Sequence, residues 1–172
     1  EAYLPTFNSN PIEMHLHRIP GLDEEFLYFN DDIFPVAPCQ PEDFFRKGKI
    51  VIKFSKHFLV SGMFKQICQN SDRLARHALG LKPSWQFLRP QHICLPILRS
   101  QSEEIYNKEE QHILSSLTTT RSAKNNTIYL FLNYIYLKGL GINEKIEKKH
   151  FSTAICTANQ LKKFILHPTR QL

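Results

Sequence analysis

The chain has 172 residues, a hydrophobic fraction of 42% and 13 Phe, which is enough to build one domain with a real core and excludes a disordered tail. Its net charge of +6 is unevenly placed: residues 1–45 hold nine acids against the single base Arg18, a balance of −8 that leaves +14 for residues 46–172. The Lys and Arg are scattered and no Gly-aromatic RNA motif or zinc-finger spacing occurs, so nucleic acid is not the expected partner; the asymmetry suits a protein that holds a cation at one end and phosphates at the other, or simply a basic surface.

In chain order, Asn10-Pro11-Ile12-Glu13 reads as a helix start, with Asn10 as cap, Pro11 at the first helical position and the helix ending near Arg18, before Pro20-Gly21. Phe26–Phe29 is a short apolar run, predicted to be a buried strand, and it stops abruptly at Asn30-Asp31-Asp32. Lys49–Phe54 alternates and reads as a second strand after the turn signal Gly48. Phe64–Leu79 follows a helical period closed by Gly80. Trp85–Leu88 is a candidate short strand leading to His92, Ser102–Leu117 a polar helix, and Asn126–Lys138 a buried helix ending at Gly139, with a strand as its alternative. Ser152 is a candidate cap for a last helix through Phe164. Strands interleaved with helices make the expected class α/β, a mixed sheet flanked by helices, in one domain over residues 1–172.

Cys39, Cys68, Cys94 and Cys156 show no CxxC spacing, which argues against zinc or a dense disulfide framework and for buried, reduced thiols in a cytosolic protein. The most apolar run, Ile128–Leu137, contains Asn133 and is about half the ~20 residues that span a bilayer.

The junction of a strand with Asn30-Asp31-Asp32 is the sharpest chemical signal. Adjacent carboxylates at a strand end suit a hard cation such as Mg²⁺, which bridges a nucleotide pyrophosphate, although the same triplet is also ordinary turn chemistry. Glu13, His15, His17 and Arg18 crowd one short helix, with Glu13 and His17 on one face: a polar wall for a phosphate or sugar, or a solvated face. His92 follows Pro90, where a His can act as acid or base near neutral pH; read without context, it is an ordinary surface or satisfied residue. Arg121 follows a Thr run and offers a fork of donors for a phosphate, or is likewise an ordinary surface residue.

Leu4-Pro5-Thr6-Phe7-Asn8-Ser9-Asn10-Pro11-Ile12-Glu13-Met14-His15-Leu16-His17-Arg18-Ile19-Pro20-Gly21-Leu22, followed by Phe26-Leu27-Tyr28-Phe29-Asn30-Asp31-Asp32, resembles the second conserved region of the Stealth family, here residues 4–45. That family includes bacterial capsule polymerases and the animal enzyme that tags lysosomal glycoproteins with N-acetylglucosamine-1-phosphate. His92, Pro96, Arg99-Ser100 and Arg121 are similar to its third region, here residues 85–140. There are departures. The family's first region, a strand with a Val-Asp-Gly-type motif, would lie upstream of Glu1, so the resemblance implies an incomplete catalytic domain lacking its nucleotide-binding strand. Phe34-Pro35 replaces the usual Gly, Ala123-Lys124-Asn125 replaces acidic residues, and the tail from Lys145 does not match the fourth region clearly.

The resemblance implies transfer of a hexose-1-phosphate or N-acetylhexosamine-1-phosphate from a nucleotide sugar, a UDP-sugar by preference, to a sugar hydroxyl in capsule or exopolysaccharide synthesis. It implies catalytic roles for Asp31, Asp32, His92 and Arg121, with Mg²⁺ or Mn²⁺ on Asp31 and Asp32, and substrate contacts from Asn8, Ser9, Asn30, His17 and Arg18. It also implies a cytoplasmic location, with peripheral association with the capsule-export machinery at the membrane's inner face. The alternative is an inactive, truncated carbohydrate or nucleotide-sugar binding module.

Overall fold

The computed structural model describes residues 4–33, 35, 38–144 and 157–166. Asn8, in extended conformation, caps a one-turn helix α1 (Ser9–Glu13) by accepting a hydrogen bond from the Asn10 amide, so the cap lies two residues before the expected Asn10. The expected helix to Arg18 breaks at His15 (φ −112°, ψ 5°), and Leu16–Arg18 form a separate 3₁₀ turn. Strand β1 (Glu25–Tyr28) follows, then β2 (Phe45–Arg46), β3 (Lys49–Ile52) and β4 (Phe54–His57). Helix α2 (Gly62–Ala78) leads to β5 (Phe87–Pro90), β6 (Leu95–Leu98) and α3 (Arg99–Ser116). Helix α4 (Tyr129–Ile135) continues into a π-type turn, Tyr136–Leu140, then β7 (Gly141–Asn143); α5 (Ala158–Leu166) closes the described chain. Ser152, the expected cap of that last helix, lies outside the described residues.

The α/β class holds, but the expected mixed sheet is divided into three small ones. β1 pairs antiparallel with β6, β4 antiparallel with β5, and β3 sits between antiparallel β2 and parallel β7. The strand expected over Lys49–Phe54 divides at Lys53, and its two halves join different sheets. β1 is half-buried with Glu25 exposed, not the buried strand that its aromatic run predicts, because it has a neighbour on one edge only.

Two helices organise the core. All seven residues of α4 are buried, as befits a central helix apolar on every side. α2 is amphipathic: Ile67, Cys68, Ser71, Asp72 and Ala75 are buried in helical spacing, and this face packs on α4 and β5. Asp72 is fully buried, and its two oxygens accept from the Leu88 amide at 3.0 Å and from Arg76 Nε at 2.7 Å, tying α2 to β5. Gly139 (φ 87°) ends the α4 extension in the left-handed region that glycine tolerates best. Among the described residues no helix is long and apolar enough to cross a membrane. Cys68 and Cys94 are buried free thiols, each pushed up to about 12 by desolvation, whereas Cys39 is exposed, contrary to the expectation of burial.

Candidate active site

Pairing of β1 with β6 builds the site. The register sets Tyr28 opposite Leu95, so antiparallel geometry brings the residues after Tyr28 beside those before Leu95. The chain after β1 turns at once, the Ile33 amide bonding the Asn30 carbonyl at 3.1 Å, and Asp31 and Asp32 sit exposed on that turn. The chain before β6 is pinned by the Gln91 amide on the Lys53 carbonyl and the Ile93 amide on the Gln91 carbonyl, both at 3.0 Å, with His92 between. Asn30 Nδ2 lies 2.7 Å from His92 Nε2. As placed, the amide donates and Nε2 accepts, which leaves the ring proton on Nδ1.

These residues line a cavity of about 580 Å³ that also takes in Ser9, Glu13, Tyr28, Arg121 and Tyr129. Asp31 and His92, sixty-one positions apart in sequence, thus border one space.

Arg121 reaches it from the α3–α4 loop, whose conformation is fixed by a buried amide network. Asn125 is fully buried; its Oδ1 accepts from the Ser122 amide at 2.8 Å and from Asn8 Nδ2 at 3.0 Å, and its Nδ2 donates to Thr118 Oγ1 at 2.8 Å. Asn8 Nδ2 also donates to the Thr118 carbonyl at 3.0 Å. Asn70, from α2, donates to the Ala123 and Asn125 carbonyls.

Ser9, Asn30, Asp31, Asp32, His92 and Arg121 therefore share the cavity; Asn8, His17 and Arg18 do not line it. Asn8 is buried and holds the Arg121 loop to α1, which makes it a positioning residue. His17 is buried against Tyr106 and Phe131, at ring-centroid distances of 4.7 and 6.0 Å. Burial first, then the charge of Arg18, lowers its pKa to about 4, so the ring is neutral at physiological pH. Arg18 lies over the Tyr106 ring and pairs with Glu110 at 3.6 Å. The helical spacing that put Glu13 and His17 on one face fails because the helix stops between them.

Three further lining residues stand outside the proposed catalytic and substrate-contact set: Glu13, read on sequence as part of a polar helix face, and Tyr28 and Tyr129. Glu13 is a buried carboxylate: Oε1 accepts from Tyr28 OH at 3.2 Å, and Oε2 from the Ile128 amide at 3.1 Å and Thr127 Oγ1 at 3.4 Å, which joins α1, β1 and the start of α4. Burial, then the Glu13 charge, raises the Tyr28 phenol's pKa. Tyr129 is buried, its pKa raised chiefly by desolvation, and its hydroxyl has no hydrogen-bond partner among the described residues. A buried unpaired hydroxyl on a cavity wall is a group that a ligand can satisfy. Tyr129 stands in no motif that marks it, and Tyr28 reads on sequence only as part of an apolar run; the fold turns both toward the cavity.

Asp31 and Asp32 offer two oxygen donors, and among the described residues they gather no third His, Cys, Asp or Glu ligand. That set suits Mg²⁺, which is held through one or two carboxylates with the remaining positions left to water and substrate phosphates.

Residues 1–53 match the family model for Stealth protein CR2, conserved region 2. The chain belongs to the Stealth family. It is 34% identical over 151 residues to the capsular polysaccharide phosphotransferase fcs1 of Haemophilus influenzae, a match that takes in 81% of this chain and 41% of that protein. It is 32% identical over 150 residues to LcbA, a capsular polysaccharide phosphotransferase of Aeromonas hydrophila (83% and 42%), and 30% identical over 160 residues to the receptor polysaccharide phosphotransferase WefC of Streptococcus gordonii (75% and 48%). The chain thus spans under half the length of these curated relatives. The second-region segment of this Stealth chain supplies α1, β1 and the Asn30–Asp32 turn, which is one wall of the cavity; His92 and Arg121 complete it from beyond residue 53.

Proposed function

We propose that this chain carries the sugar-1-phosphate transfer site of a capsular polysaccharide phosphotransferase. One observation supports it above the rest: Asp31, Asp32, His92 and Arg121, drawn from three separate segments of a Stealth chain, border one cavity of about 580 Å³. Relatives named as polysaccharide phosphotransferases support the reaction class.

The acceptor sugar hydroxyl attacks the β-phosphorus of a nucleotide diphosphate sugar such as UDP-N-acetylhexosamine. The new P–O bond forms as the bond to the nucleoside monophosphate breaks, and UMP leaves with the electron pair. The anomeric C–O bond is untouched. His92 Nε2 takes the hydroxyl proton as the acceptor hydroxyl displaces the Asn30 amide from it, and Arg121 grips the transferred phosphate with two parallel donors. Positioning and charge neutralisation carry most of such a reaction. A divalent cation, Mg²⁺ or Mn²⁺, held at Asp31 and Asp32 would neutralise pyrophosphate charge. Ser9, Asn30 and the Tyr129 hydroxyl supply hydrogen bonds to sugar or phosphate oxygens. The polysaccharide acceptor, and attachment to an export machinery on the cytoplasmic side, belong to the same proposal.

The test measures UDP-N-acetylhexosamine binding and UMP release for the wild type, Asp31→Asn and Arg121→Ala. UMP release that falls in both variants is expected. Release of UDP in place of UMP would overturn phosphoryl transfer, and donor binding without any turnover would favour a binding module.

A further inference from the structure

A second cluster of ligating side chains lies where α2 and α3 meet. His77 near the end of α2 sets Nδ1 at 2.7 Å from Glu109 Oε1, and His112 sets Nδ1 at 2.8 Å from Glu109 Oε2. The ligand atoms of the three residues all lie within 4.8 Å of one another, and the two imidazoles stand 5.4 Å apart in a T-shaped arrangement. Glu109 and His112 form a Glu-x-x-His pair on α3, the i,i+3 spacing that helices use to aim two ligands at one metal. Helical geometry is interrupted at Glu109 itself (φ −121°, ψ 22°).

The exposures differ sharply: the Glu109 side chain is 5% exposed, those of His77 and His112 67% and 64%. A buried carboxylate is paired with a cation or coordinates a metal, because leaving its charge uncompensated is costly. The hydrogen-bond partners of Glu109 among the described residues are two imidazoles, each of them a side chain that ligates metal ions.

The cluster also edges a cavity of about 400 Å³, distinct in its lining from the candidate active site. Asn126, 4% exposed, lines this cavity, and its Oδ1 has no hydrogen-bond partner among the described residues. An orphaned buried acceptor beside an open ligand set points to something that fills the space, as a metal-bound water would.

The geometry points to a zinc site formed by His77 Nδ1, His112 Nδ1 and the Glu109 carboxylate, with a fourth position open to water. Two imidazoles and one carboxylate with one open position form a ligand set typical of a borderline-soft divalent ion. Ligand atoms around tetrahedral zinc stand roughly 3.3 Å apart; each imidazole nitrogen already lies within a few tenths of an ångström of that distance from a Glu109 oxygen, and the ligand atoms of all three residues lie within 4.8 Å of one another. Neutral imidazoles keep their proton on Nε2 when Nδ1 ligates. The ion would pin α2 to α3 behind the loop that carries Arg121: Lys124 and Asn126 of that loop line this cavity, Arg121 and Thr127 the other. The inference does not depend on the proposed transferase reaction.

The test is a titration of chelator-treated protein with ZnCl₂ by calorimetry, and with Co²⁺ by visible absorption. About one equivalent of zinc and the intense visible bands of four-coordinate Co²⁺ are expected. His77→Ala and His112→Ala should each weaken zinc by roughly 10–100-fold or more, since the loss of even an outer partner of a ligand costs that much. Both side chains are exposed, so both variants should keep the wild-type circular dichroism. Asp31→Asn should leave zinc binding unchanged, which separates this ion from one at the other cavity. Absence of stoichiometric zinc, or its retention at wild-type affinity in the His77→Ala/His112→Ala double variant, would overturn the site.

Discussion

His92 and Arg121 meet the substrate most directly in the proposed reaction. His92→Ala should lower kcat by roughly 10²–10⁴, the range for a positioned general base. Arg121→Lys should cost on the order of 10²-fold, comparable to losing one preorganised donor, because an ammonium cannot reproduce a guanidinium's two parallel bonds. Neither residue is in the core, so thermal melts of both variants should match the wild type; a fall in turnover that merely tracks lost stability would count against both roles. His17 acts on stability instead. Its folded-state pKa of about 4 lies below the ordinary 6.5, so the unfolded chain binds more protons between those values. The contribution of the neutral, buried ring is therefore full above pH 6.5 and is lost as pH falls toward 4, up to roughly 3 kcal/mol. Urea midpoints of wild type and His17→Gln, compared at pH 7.5 and 4.5, check it: the variant should lose less stability on acidification.

At the scale of elements, the buried Asp72 carboxylate holds the scaffold. Asp72→Ala would leave the Leu88 amide and the Arg76 guanidinium without their acceptor and separate α2 from β5. A loss of about 3 kcal/mol is expected, read from urea unfolding, with an unchanged denaturant slope if the native fold survives. Elements with strong local patterns are legible in the sequence: the 3.6-residue period of α2 and the apolar run of α4 lie close to their expected positions. What escapes is non-local. Leu95-Pro96-Ile97-Leu98 is a fully buried strand whose proline argues against a strand by the usual rules. β7 is three residues long and exists because β3 offers it a parallel partner more than eighty residues away. The α1 cap falls on Asn8 instead of Asn10 because the loop carrying Thr118 and Asn125 holds the Asn8 side chain in place.

For the whole molecule, the resemblance to the Stealth family named Asp31, Asp32, His92 and Arg121 as catalytic candidates, while their common cavity depends on the β1–β6 register and on the amide network around Asn125, neither of which any local motif encodes. The same limit explains why no sequence signal marks Tyr129 and why, of the polar face expected over Glu13, His17 and Arg18, only Glu13 lines the cavity. A metal-dependent transferase should lose activity in EDTA and regain it with Mg²⁺ or Mn²⁺, whereas Asp31→Asn should resist that rescue. Full turnover after exhaustive metal removal would contradict a role for Asp31 and Asp32 as ligands. The most direct test of the central claim follows one atom: UDP-N-acetylhexosamine labelled with ³²P at the β-phosphate is incubated with the protein and its polysaccharide acceptor. Phosphoryl transfer predicts that the label enters the polysaccharide as unlabelled UMP is released, and that His92→Ala and Arg121→Lys suppress both together; label that stays in UDP while sugar moves to the acceptor would contradict it.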